Sequence, residues 1–249
     1  MGNQLQGLIF DVDGTLANTE RDGHRVAFNQ AFEEAGLDWH WSEEFYGKLL
    51  TVSGGKERIE YFLRHHLPDF KPEPERSDLV AHLHQLKTKY YLQLLRSGTI
   101  QLRPGTKRLI DEARAAGVTL AIATTTSLPN VIALLEKYLD LDWFEVIAAG
   151  DIVPAKKPAP DIYHYVINRL EVPPENLLVI EDSDNGVESA TAAGLTTIVT
   201  VNSYTKQQDF SQAALVVEEL GEPDSPCRVI QGDLGAEYLN LSSLRSLIE

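Results

Sequence analysis

Leu5-Gln6-Gly7-Leu8-Ile9-Phe10 is a short, largely apolar run that stops abruptly at Asp11-Val12-Asp13-Gly14-Thr15. A run without polar alternation predicts a strand that is buried on both faces, as in the middle of a parallel sheet. Similar runs recur along the chain and predict further strands at Val118–Ala123, Glu145–Ala149, Leu177–Ile180, Thr196–Val201 and the shorter Leu215–Val217.

Helical patterns separate these strands. Most of them begin after a proline or end at a glycine, which are common boundaries of helices. The predicted helices are Pro104–Ala116, Pro129–Leu139, Asp161–Leu170 and Asn185–Ala193, with a short final helix near Leu241–Ile248. Strands that alternate with helices of about ten residues predict right-handed βαβ units and a doubly wound, parallel α/β sheet.

The segment from Glu20 to Leu95 departs from this alternation. Its apolar residues recur at helical spacing, and no run within it predicts a strand. We therefore predict a helical cap, residues 19–95, inserted after the first strand into an α/β core of residues 1–18 and 96–249. The tail after Gly221 carries no pattern beyond the one that predicts the final helix.

The composition limits the class of function. The 249 residues include 37 acidic and 22 basic side chains, a net charge of −15 at pH 7. This charge does not favour binding to nucleic acid or to an anionic membrane, because both attract clustered lysine and arginine. A single cysteine, Cys227, cannot form an internal disulfide, so we expect a reducing, cytoplasmic compartment. We also expect a monomer.

Charged and hydroxyl side chains follow the predicted strands, at the point where each strand ends. In chain order they are Asp11 and Asp13, then Thr124 and Thr125, then Lys157, then Glu181 and Asp182. In an open α/β sheet the ligand lies beyond the carboxyl ends of the strands, which meet at one edge. We therefore expect carboxylates, hydroxyl groups and a lysine to converge there.

Converging carboxylates repel one another unless a cation lies among them. Oxygen ligands favour Mg²⁺, which also accepts phosphate oxygens as ligands. A metal-bound phosphate that faces a free carboxylate oxygen, with a lysine opposite, makes a phosphoryl-transfer site. One aspartate can attack phosphorus and form an aspartyl phosphate. A second aspartate, two residues later, can protonate the leaving oxygen and then activate water.

Four segments resemble, in order and spacing, the four motifs of haloacid dehalogenase-like phosphatases. These segments are Asp11-Val12-Asp13-Gly14-Thr15, Thr124, Lys157-Pro158 and Glu181-Asp182. The chain resembles the β-phosphoglucomutase-like branch and, more closely, its CbbY type, through Ser53–Arg58, Arg103-Pro104-Gly105, Thr124–Ser127 and Lys157–Tyr163. The resemblance implies a small helical cap and a Mg²⁺-dependent sugar-phosphate phosphatase. It also implies xylulose-1,5-bisphosphate as the substrate.

The same resemblance implies roles for the acidic residues. Asp11 would be the nucleophile and a metal ligand. Asp13 would be the acid and base, and its backbone carbonyl would bind the metal. Asp182 would be the second side-chain ligand, with Glu181 supporting it directly or through water.

Other residues would bind the substrate. Thr124 and the following amide, that of Thr125, would hold the transferring phosphoryl group, and Lys157 would neutralise it. In the cap, Gly54-Gly55-Lys56 falls where relatives bind the distal group of the substrate, and its glycines allow a close approach of the backbone. Asn18 stands where CbbY-type relatives often carry a carboxylate that meets a substrate hydroxyl, so its amide bears on substrate preference.

Two other functions use similar residues. A β-phosphoglucomutase-like phosphomutase acting on a hexose phosphate needs the same four motifs, so the sequence separates it from a phosphatase only through the cap. A signalling receiver domain also combines aspartates, threonine and lysine at the edge of a doubly wound sheet. A receiver needs neither the inserted helices nor Gly14-Thr15 after its acidic pair. The sequence therefore favours the phosphatase.

Overall fold

The computed structural model describes residues 4–71 and 75–248. Its strands are β1 (Gly7–Phe10), β2 (Thr119–Thr124), β3 (Val146–Ala149), β4 (Leu177–Glu181), β5 (Thr196–Thr200), β6 (Leu215–Val217) and β7 (Val229–Gln231). They form one sheet in the order β3-β2-β1-β4-β5-β6-β7. Strands β1 to β6 are parallel, and β7 is antiparallel to β6. The predicted doubly wound sheet is confirmed.

β1 lies at the centre of the sheet and is buried on both faces. Leu8 and Phe10 pack into one hydrophobic cluster, and Ile9 packs into the cluster on the opposite face. β1 pairs with β2 on one side and with β4 on the other. The order of the strands reverses at this point, so the carboxyl ends of β1 and β4 border the crevice in which such sheets bind ligands.

Helices cover both faces of the sheet and extend beyond it. They are α1 (Arg25–Glu34), α2 (Glu43–Leu49), α3 (Gly55–His65), α4 (Arg76–Ser97), α5 (Thr106–Ala115), α6 (Leu128–Tyr138), α7 (Asp161–Leu170), α8 (Asp184–Ala192) and α9 (Leu241–Ser246). Residues of α5, α6 and α9 pack into the cluster that contains Phe10. Residues of α7 and α8 pack into the cluster that contains Ile9.

Helices α1 to α4 form the predicted cap, together with a π-helical turn at Glu20–His24. Aromatic side chains of these helices and of the loop between α1 and α2 make a separate cluster that includes Phe28, Phe32 and Trp41. The two connections to the core run side by side, since the amide of Arg103 donates to the carbonyl of Leu16 at 2.9 Å. We propose the boundaries 19–95 for the cap, although α4 itself continues to Ser97.

Each predicted strand, and each predicted helix of the core, lies within two residues of its predicted bounds. α5 begins at Thr106 rather than Pro104 because Gly105 has a φ of +81°, outside the helical region. The tail also contains β7, which the sequence does not predict. Within residues 4–71 and 75–248, no helix is both long enough and apolar enough to cross a membrane.

Candidate active site

Lys157 joins two carboxylates at the carboxyl ends of the central strands. Its Nζ donates to Asp11 Oδ1 at 2.9 Å, to Glu181 Oε1 at 2.6 Å and to the carbonyl of Ala123 at 2.8 Å. Burial alone would lower the pKa of Lys157, but the charges of Asp11 and Glu181 raise this pKa well above its usual value. Lys157 is therefore a fixed cation.

Asp11 keeps one carboxylate oxygen free. Oδ1 accepts from Lys157, whereas Oδ2 accepts no hydrogen bond from the residues that the structure describes. Burial raises the pKa of Asp11 to about 7, with further contributions from Glu181 and Asp13 that the charge of Lys157 partly offsets. A free carboxylate oxygen beside a fixed cation is the arrangement that a nucleophile for phosphorus needs.

Both oxygens of Glu181 are engaged within the protein. Oε1 accepts from Lys157 and, at 2.7 Å, from the hydroxyl of Tyr163, and Oε2 accepts from the amide of Asp182 at 3.1 Å. Gly186 makes room for this carboxylate, because a Cβ at that position would lie 2.0 Å from Glu181 Oε2. These contacts favour a role in positioning Lys157 and Asp182 over direct contact with a metal.

Asp182 lies close to Asp11 and is held by Asn202, whose Nδ2 donates to Asp182 Oδ2 at 2.6 Å. Gly14 has a φ of +89°, and a Cβ there would lie 2.2 Å from Asp182 Oδ2, so this position requires glycine. Burial raises the pKa of Asp182 well above its usual value, and repulsion from Asp11 and Glu181 adds to the effect.

The acidic cluster fits a hard divalent cation. One oxygen from each of Asp11, Glu181 and Asp182 lies within 4.8 Å of the others, and all three residues are buried. The pKa values of Asp11 and Asp182 are both raised, partly by neighbouring carboxylates, and a cation between them would relieve this repulsion. The donors are all oxygens, which Mg²⁺ prefers over nitrogen or sulfur.

Asp13 is bonded to the beginning of the cap. Its Oδ1 accepts from Thr19 Oγ1 at 2.6 Å and contacts His24 Nε2 at 2.8 Å. Burial alone would raise the pKa of Asp13, but the charge interaction with His24 and the hydrogen bonds of His24 and Thr19 hold this pKa well below its usual range. Asp13 is therefore ionised in this arrangement.

Thr124 and Thr125 lie where β2 ends, shortly before α6 begins. Thr124 is buried and its Oγ1 accepts from the amide of Thr126 at 3.2 Å. Both threonines line the cavity that also contains Asp11 and Lys157. The neighbouring N-terminus of α6 presents backbone amides, which favour an anion.

The cavity lies between the core and the cap. Core residues that line it include Asp11, Asp13 and Asp182, and cap residues include Glu20 and Arg58. Its volume is about 70 Å³. Sites for small molecules are typically about 300–1,000 Å³. The cap therefore leaves little room above the acidic cluster in this arrangement.

The predicted Gly54-Gly55-Lys56 loop lies beside this cavity rather than in it. Gly54 has a φ of +92°, which places it immediately before α3 in a conformation that favours glycine. Lys56 Nζ donates to Asp151 Oδ2 at 2.7 Å, and Lys156 Nζ donates to Asp151 Oδ1 at the same distance. These residues line a groove of about 430 Å³ that also contains Gly55 and Thr125. The groove and the cavity therefore meet at Thr125.

Asn18 is exposed and does not line the cavity that contains Asp11. It lines a second cavity of about 270 Å³, together with Arg21 and Glu219. Glu20 and Asn202 contribute to both cavities and so lie between them. Glu20, two residues after Asn18, does line the cavity that contains Asp11.

The cap also contains two buried cations, Arg58 and Lys87. Arg58 lines the cavity, and its guanidinium donates to the hydroxyl of Tyr46 at 2.8 Å. Lys87 is only 3% exposed, and its Nζ lies 5.3 Å from the ring centre of Phe28 and 5.5 Å from that of Tyr91. Burial lowers the pKa of Lys87 to about 8. Lys87 stands among polar residues in the sequence, so the sequence pattern does not predict that its side chain is buried.

Arg103, in the Arg103-Pro104-Gly105 segment, connects several loops through hydrogen bonds to backbone carbonyls. Its buried guanidinium donates to the carbonyls of Thr200 at 3.0 Å, Val201 at 2.7 Å and Glu218 at 2.6 Å. A further bond reaches the carbonyl of Gly14. Arg103 therefore fixes the loops after β5 and β6 against the loop that carries Asp13. No local pattern predicts contacts between residues so far apart in the chain.

Comparison with known proteins bears out the resemblance found in the sequence. Residues 5–194 match the family model described as haloacid dehalogenase-like hydrolase. The chain is 47% identical over 221 residues to protein CbbY of Cereibacter sphaeroides, covering 88% of this chain and 94% of that one. It is 43% identical over 245 residues to the plasmid protein CbbY of Cupriavidus necator, covering 97% and 96%. An aspartate-to-asparagine mutant of CbbY from Rhodobacter sphaeroides, crystallised with xylulose-1,5-bisphosphate, matches with a TM-score of 0.80 and 46% identity over 87% of this chain and 95% of that one. The chain therefore belongs to the haloacid dehalogenase-like hydrolases and, within them, to the CbbY-type branch.

Proposed function

We propose that the protein is a Mg²⁺-dependent phosphatase that acts on a phosphorylated sugar through an aspartyl phosphate on Asp11. The observation that carries the proposal is the free Oδ2 of Asp11 beside the fixed cation Lys157. Both line a small cavity that also contains Asp13 and Thr124. A nucleophile, a cation, a second aspartate and hydroxyl donors are the groups that phosphoryl transfer to water requires.

Transfer through Asp11 takes two steps. In the first, an Asp11 oxygen attacks phosphorus, the bond from phosphorus to the sugar oxygen breaks, and the leaving oxygen takes a proton from Asp13. In the second, water attacks the same phosphorus and gives its proton to Asp13. The bond to Asp11 then breaks and inorganic phosphate is released. Lys157 remains charged in both steps, and Thr124 with the amide of Thr125 holds the phosphoryl oxygens.

Asp13 needs a proton for the first step and a free oxygen for the second. Its bonds to His24 and Thr19 favour the ionised form, which suits the second step. A movement of the cap that lengthens the contact with His24 would raise the pKa of Asp13 and prepare it for the first step.

Asp11 and Asp182 would hold the Mg²⁺ ion, with the backbone carbonyl of Asp13 as a further oxygen. When bound, the ion neutralises charge on the carboxylates and on the phosphate oxygens. Asn202 orients Asp182 for this role through its hydrogen bond. Glu181 holds Lys157 in place through the hydrogen bond that it accepts from Nζ. The buried residues thus supply a preformed set of oxygen ligands.

Xylulose-1,5-bisphosphate is the substrate that we propose. It is bound in the crystal structure of a CbbY relative that is 46% identical to this chain. A bisphosphate needs a second group of cations, because the net charge of −15 does not attract it. Lys56 and Lys156 supply such a group in the groove that meets the cavity at Thr125. One phosphate at Asp11 and the other near Lys56 would fit this arrangement.

A panel of sugar monophosphates and bisphosphates, assayed with Mg²⁺ by ³¹P NMR, tests the proposal. We expect release of inorganic phosphate equal to the loss of substrate, with the highest kcat/KM for the bisphosphate. Isomerisation without release of phosphate would identify a phosphomutase instead, and no turnover of any ester would contradict the proposal. A monomeric state and a cytoplasmic location stay predictions.

A further inference from the structure

Glu20 is the one carboxylate that the cap side presents to the described cavity above Asp11. Its Oε2 accepts from the hydroxyl of Tyr46 at 2.5 Å and lies 3.9 Å from Arg58 Nη1. Its Oε1 accepts no hydrogen bond from any residue in the described parts of the chain, and the side chain is 16% exposed. Glu20 therefore offers an oriented, unused acceptor to whatever occupies the cavity.

The local backbone holds this acceptor in place. Glu20 begins the π-helical turn, in which the amide of Arg25 donates to the carbonyl of Glu20. Wider turns of this kind often occur at functional sites, since they redirect side chains that an α-helix would place elsewhere. Arg58 is itself buried and bonded to Tyr46 and to the carbonyls of Leu49 and Val52, so the group that orients Glu20 is also fixed.

A carboxylate in this position is unfavourable for binding a phosphate. Its charge adds to that of the acidic cluster, and repulsion from Glu20 contributes to the raised pKa of Asp182. Arg58 offsets part of this cost, but it engages only Oε2. The free Oε1 is best matched by a hydrogen-bond donor without charge, and hydroxyl groups are the donors that a sugar phosphate carries next to its phosphate.

We propose that Glu20 accepts a hydrogen bond from a hydroxyl group of the substrate and so selects polyhydroxylated phosphate esters over esters that lack hydroxyl groups. The inference rests on the proposed phosphatase function and adds a determinant of specificity on the cap side of the site. The sequence predicts a contact with a substrate hydroxyl at Asn18, but Asn18 lies outside the cavity. The inference assigns this contact to Glu20, which lines the cavity.

The test uses Glu20→Gln, which keeps the shape of the side chain and an acceptor for Tyr46 but removes the charge. We expect kcat/KM for the best sugar phosphate of the panel to fall about five- to tenfold, because hydrogen bonds to charged groups are stronger than neutral ones. For p-nitrophenyl phosphate, whose organic group carries no hydroxyl, we expect no loss of kcat/KM, because removal of the Glu20 charge can only lessen the repulsion of its phosphate.

Glu34→Gln is the matched control. Glu34 also accepts from a tyrosine, Tyr90, and from a cation, Lys89, but on the outer surface of the cap. We expect it to leave both substrates unchanged. Mono-deoxy analogues of the sugar phosphate provide a second readout: the wild type should discriminate against one of them, and Glu20→Gln should lose that discrimination.

The outcomes separate this inference from the proposed function. Equal losses on both substrates, or an unchanged discrimination against every deoxy analogue, would mean that Glu20 serves only to balance Arg58, and the inference would be wrong while the phosphatase function stands. Absence of Mg²⁺-dependent turnover of sugar phosphates by the wild type would overturn both.

Discussion

Lys56 in the cap and Asp151 in the core form an ion pair of 2.7 Å across the groove beside the acidic cluster. Asp151 also forms an ion pair with Lys156 of the core. The hydrogen bond from Lys156 has the larger effect and that from Lys56 the next, and together they lower the pKa of Asp151 to about 2. The side chains of Lys56 and Asp151 are 47% and 61% exposed. Their ion pair therefore contributes at most about 1 kcal/mol to the stability of this arrangement. A phosphate dianion can therefore replace Asp151 as the partner of Lys56 at little cost.

Lys56→Ala should weaken the binding of a sugar bisphosphate selectively. A charge-assisted contact contributes about 1.5–3 kcal/mol, which predicts a loss in kcat/KM of about ten- to a hundredfold for the bisphosphate and little change for a small monophosphate. Lys48→Ala is the control, since Lys48 pairs with Glu44 at 2.7 Å elsewhere on the cap. Steady-state kinetics on both substrates measure the effect. Equal losses on both would place Lys56 in cap closure rather than in recognition of a second phosphate.

Asp11→Asn should remove turnover without unfolding the protein. Asn keeps the shape of the side chain and an oxygen that can accept from Lys157, but it cannot form an acyl phosphate. Loss of a covalent nucleophile usually costs several orders of magnitude, so we expect kcat to fall at least about a thousandfold. Phosphate release and circular dichroism, measured on the same sample, separate lost chemistry from lost fold. Residual activity above about one per cent would exclude Asp11 as the nucleophile.

The parts of the site that the sequence predicts are those with a local pattern. Asp11 and Asp182 stand directly beyond a buried strand, Thr124 is the last residue of one, and Lys157 lies in a loop that follows one. The structure brings all four to one cavity. The apolar strands fix their positions, because parallel strands place their carboxyl ends at one edge. β7 escaped prediction because its residues are exposed and lack the alternation that marks a half-buried strand.

The cap side of the site depends on packing between residues that are distant in the chain. Lys56 and Arg58 lie two positions apart on α3, and helical geometry turns their side chains toward different faces. Arg58 is buried and lines the cavity, whereas Lys56 is exposed in the groove. The sequence alone does not say which face of α3 meets the core, so it predicts a role for Lys56 with Arg58 nearby, without separating the two, and predicts none for Glu20.

The acidic cluster should make activity depend on Mg²⁺. Removal of divalent ions with EDTA should abolish turnover, and Mg²⁺ should restore it better than Ca²⁺, which prefers more ligands at longer distances. Asp182→Asn should raise the Mg²⁺ concentration needed for half-maximal activity at least about tenfold. Asp184→Asn, an exposed acidic position that follows shortly after, is the control. Activity without any divalent ion, or equal activity with Ca²⁺, would contradict a metal at Asp11 and Asp182.

Burial of Lys87 links stability to pH. The pKa of Lys87 is about 8 in the folded protein, lowered from 10.5 by burial that attraction to Asp13 and Glu20 only partly offsets. Between these values the unfolded chain binds more protons than the folded one, so this residue makes stability rise with pH across that window. Below about pH 8 the full cost of burying the charge is present.

Lys87→Met should therefore stabilise the fold at pH 7. Methionine fills a similar volume between the rings of Phe28 and Tyr91 without a charge, and the pKa difference sets the gain in unfolding free energy at about 3 kcal/mol or less. Because the folded wild type loses this charge above pH 8, the gain should shrink as the pH approaches 10. Urea unfolding in EDTA at both pH values measures it. Lys89→Met is the control: Lys89 is on the same helix but pairs with Glu34 at the surface, so its replacement should give no gain at either pH. A lower stability of Lys87→Met at pH 7 would show that the lysine charge contributes more through Asp13 and Glu20 than its burial costs.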